Sequence, residues 1–316
     1  MINKRRAFIV GVKGLKLSKK EIFFLKKFKP WGVILFSRNI QSIKQVKKLI
    51  IQIKNIFLDK NYPILIDEEG GKVSRLNSIL ISSSFTGEYF GQKYKNEKSN
   101  FINYVNIYVD QIAFLLREIG VNINNSPVLD IRSKYSEMII GNRAFSNNKK
   151  IVFLIGRLFI KKFHKNKIAS VIKHIPGHGL AKVDSHKKTP IIKKSLRYLI
   201  KNDFFPFQNQ KSLFAMTAHI IFEDIDKKNT ATHSKAVISV IRKKIRYKNV
   251  IISDDISMKA LKYSIEKNTI KAFNAGCNIV LHCNGKLNEM IKVAKNSPKI
   301  DNFLMKKTLE FYKLIN

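Results

Sequence analysis

Eight short apolar runs, rich in β-branched residues, constrain the fold of this 316-residue chain more than any other feature. They cover 7–10, 32–36, 64–66, 121–123, 168–172, 213–217, 250–252 and 278–281. Between them lie segments of helical periodicity. Segment 40–57 repeats Ile43, Val46, Leu49, Ile50 and Ile53 on one face, and 104–119 does the same with Ile107, Val109, Ile112, Leu115 and Leu116. Strands that alternate with helices form parallel strand–helix–strand units. Eight such units predict α/β architecture with a single (β/α)8 TIM-type barrel, rather than an open sheet. The length suits one large core, and neither a Gly/Ser- or Pro-rich linker nor an internal repeat divides it. The expectation is a single catalytic barrel domain over residues 1–316.

Polar residues gather where these strands end. Asp67 follows the third run, Asp130 lies in the loop after the fourth, and Lys173 and His174 follow the fifth. His219 follows the sixth, and Asp254 and Asp255 follow the seventh. Barrel enzymes build their sites at the C-terminal ends of strands, so these groups predict a site at the barrel mouth. The densest cluster is Lys173-His174-Ile175-Pro176-Gly177-His178-Gly179 with Asp184-Ser185-His186. Its glycines allow sharp bends. Asp184 stands two residues before His186, so a carboxylate can orient an imidazole as a general acid/base. The competing reading is a Gly/His-rich surface loop.

Composition narrows the function classes. The net charge of +38 points to nucleic acid or an anionic surface. The basic residues are mostly Lys and spread along the chain, with no RNP motif, zinc-ligand spacing or aromatic-interleaved basic stripe. The reading favoured is a compositional bias on a solvated surface, with some nonspecific polyanion binding at low salt. Cys277 and Cys283 form no CxxC and, on a strand, would stand roughly 20 Å apart. That is too far for a bridge. The apolar stretch after Lys4-Arg5-Arg6 is shorter than a secretory core, and no segment reaches membrane-helix length. A cytoplasmic location is expected.

Several motifs together resemble family 3 glycoside hydrolases in their bacterial β-N-acetylhexosaminidase (NagZ-like) branch. Residues 173–186 are similar to that family's K-H-F-P-G-H-G…D-S-H. Asp67-Glu68-Glu69-Gly70-Gly71-Lys72-Val73-Ser74-Arg75-Leu76 resembles D-Q-E-G-G-R-V-x-R-L, with Glu68 for Gln and Lys72 for Arg. Asn125-Ser126-Pro127-Val128-Leu129-Asp130-Ile131 resembles F-A-P-V-L-D-I, and Gly141-Asn142-Arg143-Ala144-Phe145 resembles G-D-R-S-F with Asn142 for Asp. Met216-Thr217-Ala218-His219 and Ile251-Ile252-Ser253-Asp254-Asp255-Ile256-Ser257-Met258 resemble M-T-A-H and V-I-S-D-D-L-x-M. These motifs agree in order and spacing across essentially the whole chain.

The resemblance implies roles. Asp67, Arg75, Arg143, Lys173 and His174 are expected to bind the sugar, and Asp130 to be structural or to support the site. Asp254 is the expected nucleophile, His186 the acid/base and Asp184 its orienting carboxylate. Asp67 has an alternative as a helix N-cap, and Arg75 as half of a surface ion pair. His178 is expected to hold its loop, and Asp255 to act as a structural or capping group. His219 is left as either a core histidine or a wall of the pocket. The implied reaction is a retaining removal of terminal β-linked N-acetylglucosamine (GlcNAc) through a covalent glycosyl-enzyme on Asp254. A muropeptide of cell-wall recycling is the expected substrate. No metal or organic cofactor, no specific nucleic acid, no membrane and a monomer are expected. The alternatives are a phosphorylase, a β-glucosidase, and a binding protein that has kept the barrel and lost its chemistry.

Overall fold

A computed structural model describes every residue except Met1, Tyr135, Glu137, Met138, His186 and Lys187. Ten strands occur among the described residues: β1 Arg6–Gly11, β2 Pro30–Leu35, β3 Ile64–Ile66, β4 Ile123–Asn124, β5 Ala169–Ile175, β6 Ile191–Ile192, β7 Phe214–Thr217, β8 Ile221–Phe222, β9 Val250–Asp255 and β10 Ile279–His282. Eight of them close into a parallel barrel in the order β1-β10-β9-β7-β5-β4-β3-β2. This is the expected (β/α)8 barrel. β6 and β8 form a separate two-stranded parallel sheet that the apolar runs did not announce.

Helices connect the barrel strands and cover their outer faces. Segment Ile43–Phe57 starts where the Ser42 side chain accepts from the Gln45 amide, and it buries Val46, Leu49, Ile50, Ile53 and Phe57. Helix Phe101–Ile119 stops at Gly120, whose φ of 95° favours a residue without Cβ. Two apolar layers result. Phe8, Val10, Ile172, Ala215, Ile251 and Val280 pack outward against the helices. Ala7, Ile9, Leu65, Val171, Phe214, Met216, Val250, Ile252, Ile279 and Leu281 fill the barrel. The final helix, Asn302–Ile315, adds Leu304 and Phe311 to the inner layer and so closes the N-terminal end. There the Trp31 indole N–H donates to Thr308 Oγ1 at 2.8 Å.

The fourth strand departs from the reading of 121–123. It is only Ile123–Asn124, because Asn122 stands before it and holds the neighbouring strand with its side chain. The Ile64 amide donates to Asn122 Oδ1 at 2.8 Å. Two other strands are longer than their apolar runs. β5 and β9 continue through Lys173, His174, Asp254 and Asp255, which belong to the strands rather than following them. Polar side chains ended the apolar pattern there before the backbone pairing ended.

Candidate active site

Alternation along the strands aims the site residues. Leu65, Val171, Ile252 and Leu281 face the inner layer, so the residues two positions on share their direction. Those residues are Asp67, Lys173, Asp254 and Cys283. All four line a cavity of about 260 Å³ at the C-terminal mouth. Met216 and Leu281 give it an apolar floor, and Glu69, Lys72, Arg75, Arg143, His174, His178, Asp184 and Ser185 line it too.

Ion pairs organise one wall. Lys173 Nζ lies 2.9 Å from Asp67 Oδ1 and 2.6 Å from Glu69 Oε1. Arg143 grips Glu69 with two nitrogens, Nε to Oε2 at 2.8 Å and Nη2 to Oε1 at 2.9 Å. This fork is the strongest ordinary charge-assisted geometry. Arg75 Nη2 stands 3.6 Å from Asp67 Oδ2, and its guanidinium lies over the Phe36 ring. Burial alone would raise both carboxyls. Lys173 and Arg75 outweigh it at Asp67, and Arg143 and Lys173 outweigh it at Glu69. Both carboxyls are held below their usual range and stay ionised. Burial likewise opposes the charge on Lys173, but Asp67 and Glu69 raise its pKa overall.

His174 departs from the alternation. It lines the cavity beside its neighbour Lys173. The peptide bond between the two is cis, and the pairing of β5 with β7 shifts register between Lys173 and Ile175. His174 Nδ1 lies 2.6 Å from Asp130 Oδ2. Asp130 is fully buried and also accepts from the His178 amide at 2.8 Å. A carboxylate at Nδ1 selects the tautomer with its proton there, leaving Nε2 as the other ring function. Asp130 thus orients a site residue.

The loop after β5 brings Asp184 and Ser185 to the same cavity. The Ala260 amide donates to the Ser185 carbonyl at 3.1 Å, tying this loop to the segment after β9. His178 is buried, with Nε2 3.4 Å from Ser185 Oγ. Burial, and then His174, push its pKa down to about 4. A group neutral at physiological pH and packed inside suits holding the loop. His186 lies outside the described residues.

A family match spans residues 7–307 and carries the description glycosyl hydrolase family 3 N terminal domain. The chain belongs to glycosyl hydrolase family 3. A beta-hexosaminidase of Haemophilus influenzae is 28% identical over 303 residues, covering 92% of this chain and 85% of that protein. One from Bordetella avium is 29% identical over 283 residues, covering 87% and 80%. The crystal structure of NagZ from Neisseria gonorrhoeae in complex with N-trifluoroacetyl-D-glucosamine superposes with a TM-score of 0.86 at 27% identity, covering 99% of this chain and 90% of that one. Within family 3, the chain falls in the NagZ-like β-N-acetylhexosaminidase branch.

For this family 3 glycoside hydrolase, the structure brings Asp67, Arg75, Arg143, Lys173, His174, Asp184 and Asp254 into one cavity. The open question at His219 closes. It is fully buried, with Nδ1 2.7 Å from Thr232 Oγ1 and Nε2 3.0 Å from the Asp255 carbonyl, and it does not line the cavity. It is a satisfied core histidine. Asp255 is not among the residues lining the cavity, and it accepts from the Ser257 amide at 3.0 Å and the Cys283 amide at 3.2 Å. Cys277 and Cys283 are both free thiols. No helix among the described residues is long and apolar enough to cross a membrane.

Sequence reasoning missed Glu69. It sat inside a recognised motif, yet its role depends on Arg143, 74 residues away, and on Lys173. A signal was present, since 65, 67 and 69 share a parity. Glu68 also proves to be built in. Its carboxylate accepts from Ser74 Oγ at 2.9 Å, the Arg75 amide at 2.8 Å, the Leu76 amide at 3.2 Å and Ser82 Oγ at 3.1 Å.

Proposed function

We propose that this protein is a retaining exo-β-N-acetylglucosaminidase that removes terminal β-linked GlcNAc. Its natural substrates are GlcNAc-1,6-anhydro-N-acetylmuramyl peptides, and it works as a cytoplasmic monomer in peptidoglycan recycling. The observation that carries the reading is the single cavity at the barrel mouth. There Asp254 lines the same space as Asp67, Arg75, Arg143, Lys173 and His174, and as Asp184, two residues before His186. The beta-hexosaminidase relatives, and a neighbour solved with an N-acylglucosamine, support a GlcNAc-containing substrate.

In this mechanism Asp67, Arg75, Arg143, Lys173 and His174 hold the pyranose hydroxyls and the N-acetyl group. A carboxylate accepts paired hydroxyls, and guanidinium and ammonium groups donate several bonds in return. Asp254 attacks the anomeric carbon while His186 protonates the leaving oxygen. The glycosyl–aspartate ester that forms is then hydrolysed by water that the neutral His186 activates. Asp184 holds the imidazole tautomer and stabilises its cation. An unperturbed imidazole titrates near pH ~6.5, which suits proton transfer in both directions at neutral pH.

The test is nitrophenol release from an aryl β-N-acetylglucosaminide. Wild-type protein should release it without requiring phosphate, and Asp254→Ala should leave almost none. His186→Ala should slow turnover by ~100- to 10,000-fold, the usual range for losing a general acid/base. Unchanged turnover in His186→Ala would remove that residue from the mechanism. A sugar 1-phosphate product would mean phosphorolysis instead.

A further inference from the structure

The cavity does not share the charge of the chain around it. The whole sequence carries 60 basic and 22 acidic residues. The described residues lining the cavity include four of each: Lys72, Arg75, Arg143 and Lys173 against Asp67, Glu69, Asp184 and Asp254. The balance depends most on Glu69. Its side chain is 5% exposed, and it is the carboxylate that Arg143 and Lys173 share, at 2.8 and 2.6 Å. Both of its oxygens are occupied by these two cations, so it has little left to offer a ligand. Asp67 supplies Lys173 with a second carboxylate, whereas Glu69 is the only carboxylate paired with Arg143 among the described residues. Without Glu69, a guanidinium and an ammonium would face the cavity with one carboxylate between them. Guanidinium forks are also the natural receptors for tetrahedral oxyanions.

We propose that Glu69 is a positioning and specificity-determining residue, which neutralises Arg143 and Lys173 so that the cavity admits an uncharged pyranose and keeps small anions out. This role presupposes the sugar site proposed above. It gives a physical reason for one acidic position to persist in a chain of such positive charge. The large excess of basic residues elsewhere draws anions to the surface. A site meant for a neutral sugar must not hold them.

Sulfate is a suitable probe, because it is not an acceptor in the reaction. Calorimetric titrations of sulfate and of GlcNAc, at constant ionic strength, compare wild type with Glu69→Gln. In Glu69→Gln, sulfate should bind and compete with GlcNAc. KM for the aryl glycoside should rise roughly 10- to 100-fold, the scale of one lost charge-assisted hydrogen bond. Wild type should show no competition. Glu69→Asp keeps the charge but withdraws it by one methylene. It should weaken GlcNAc binding without creating the sulfate site, and it stands in if Glu69→Gln does not fold. Sulfate competition in wild type would overturn the proposal, as would a folded Glu69→Gln that gains none, or a Glu69→Asp that gains it with the charge kept. So would an unchanged KM in Glu69→Gln. An inactive wild type whose Glu69→Gln variant gains sulfate would sink the glycosidase reading and leave the anion-excluding role standing.

Discussion

Asp203 illustrates what burial beside another carboxylate does to a carboxyl. It is 2% exposed beneath the glycine-rich loop. A Cβ on Gly179 would stand 2.8 Å from Asp203 Oδ1 and 2.3 Å from the Ile131 carbonyl, so the loop can lie there only with glycine. Burial, and then Asp130, push the Asp203 pKa up to about 8, against the opposing Gly179 amide. The folded protein therefore keeps this proton up to about pH 8, while the unfolded chain releases it near 3.8. Between those values the folded state binds more protons, so this residue makes stability fall as pH rises. Asp203→Asn should remove that decline. Melting temperatures of both proteins from pH 4 to pH 8 check it, and parallel curves would exclude the effect.

At the scale of one element, the loop after β3 is built around Glu68. Four donors converge on its buried carboxylate, and Asn124 clasps its backbone from both sides, accepting from the Glu68 amide at 3.0 Å and donating to its carbonyl at 2.8 Å. Gly70, with φ of 85°, turns the chain where a Cβ would meet the Phe85 carbonyl at 2.1 Å. Arg75 is delivered to the cavity by this arrangement. Glu68→Ala should cost roughly 1–3 kcal/mol of stability, because buried donors lose their acceptor. It should also raise KM as Arg75 loosens. Glu68→Gln should keep most of the activity. Its carbonyl can serve the Arg75 and Leu76 amides, and its amide can donate to the Ser82 hydroxyl, which also accepts. Urea denaturation and KM measurements separate the two variants. Equal loss in both would show that the negative charge itself is needed.

For the whole molecule, the two ends of the barrel do different work. The C-terminal helix seals the N-terminal end with Leu304 and Phe311, and the mouth carries the polar site. Phe311→Ala should therefore destabilise the fold by about 3–5 kcal/mol, the usual cost of emptying a large core position. It should leave KM nearly unchanged, since the cavity lies at the other end. A shift in KM as large as the loss of stability would mean that the ends are coupled. The charge of +38 belongs to the same scale. Retention on double-stranded DNA at about 50 mM salt should be lost by about 200 mM, as expected of counterion release without base readout. Retention that survives higher salt would revive a nucleic-acid function.

The sequence by itself determined whatever depends on local period and order. Apolar runs separated by amphipathic segments specified eight parallel units. A period of two from Leu65, Val171 and Ile252 pointed Asp67, Lys173 and Asp254 along the inside of the barrel. Ordered motifs led to the family. Only the tertiary structure could decide what depends on chain closure. Glu69 acquired its role from Arg143, which lies 74 residues away. His174 joined the cavity through a local break in alternation. His219 was settled as core by Thr232 and the Asp255 backbone. At Glu69 and His219 the deciding energy is an electrostatic or hydrogen-bonding contact between separate segments. Its strength depends on distance and burial, and neither exists until the barrel closes.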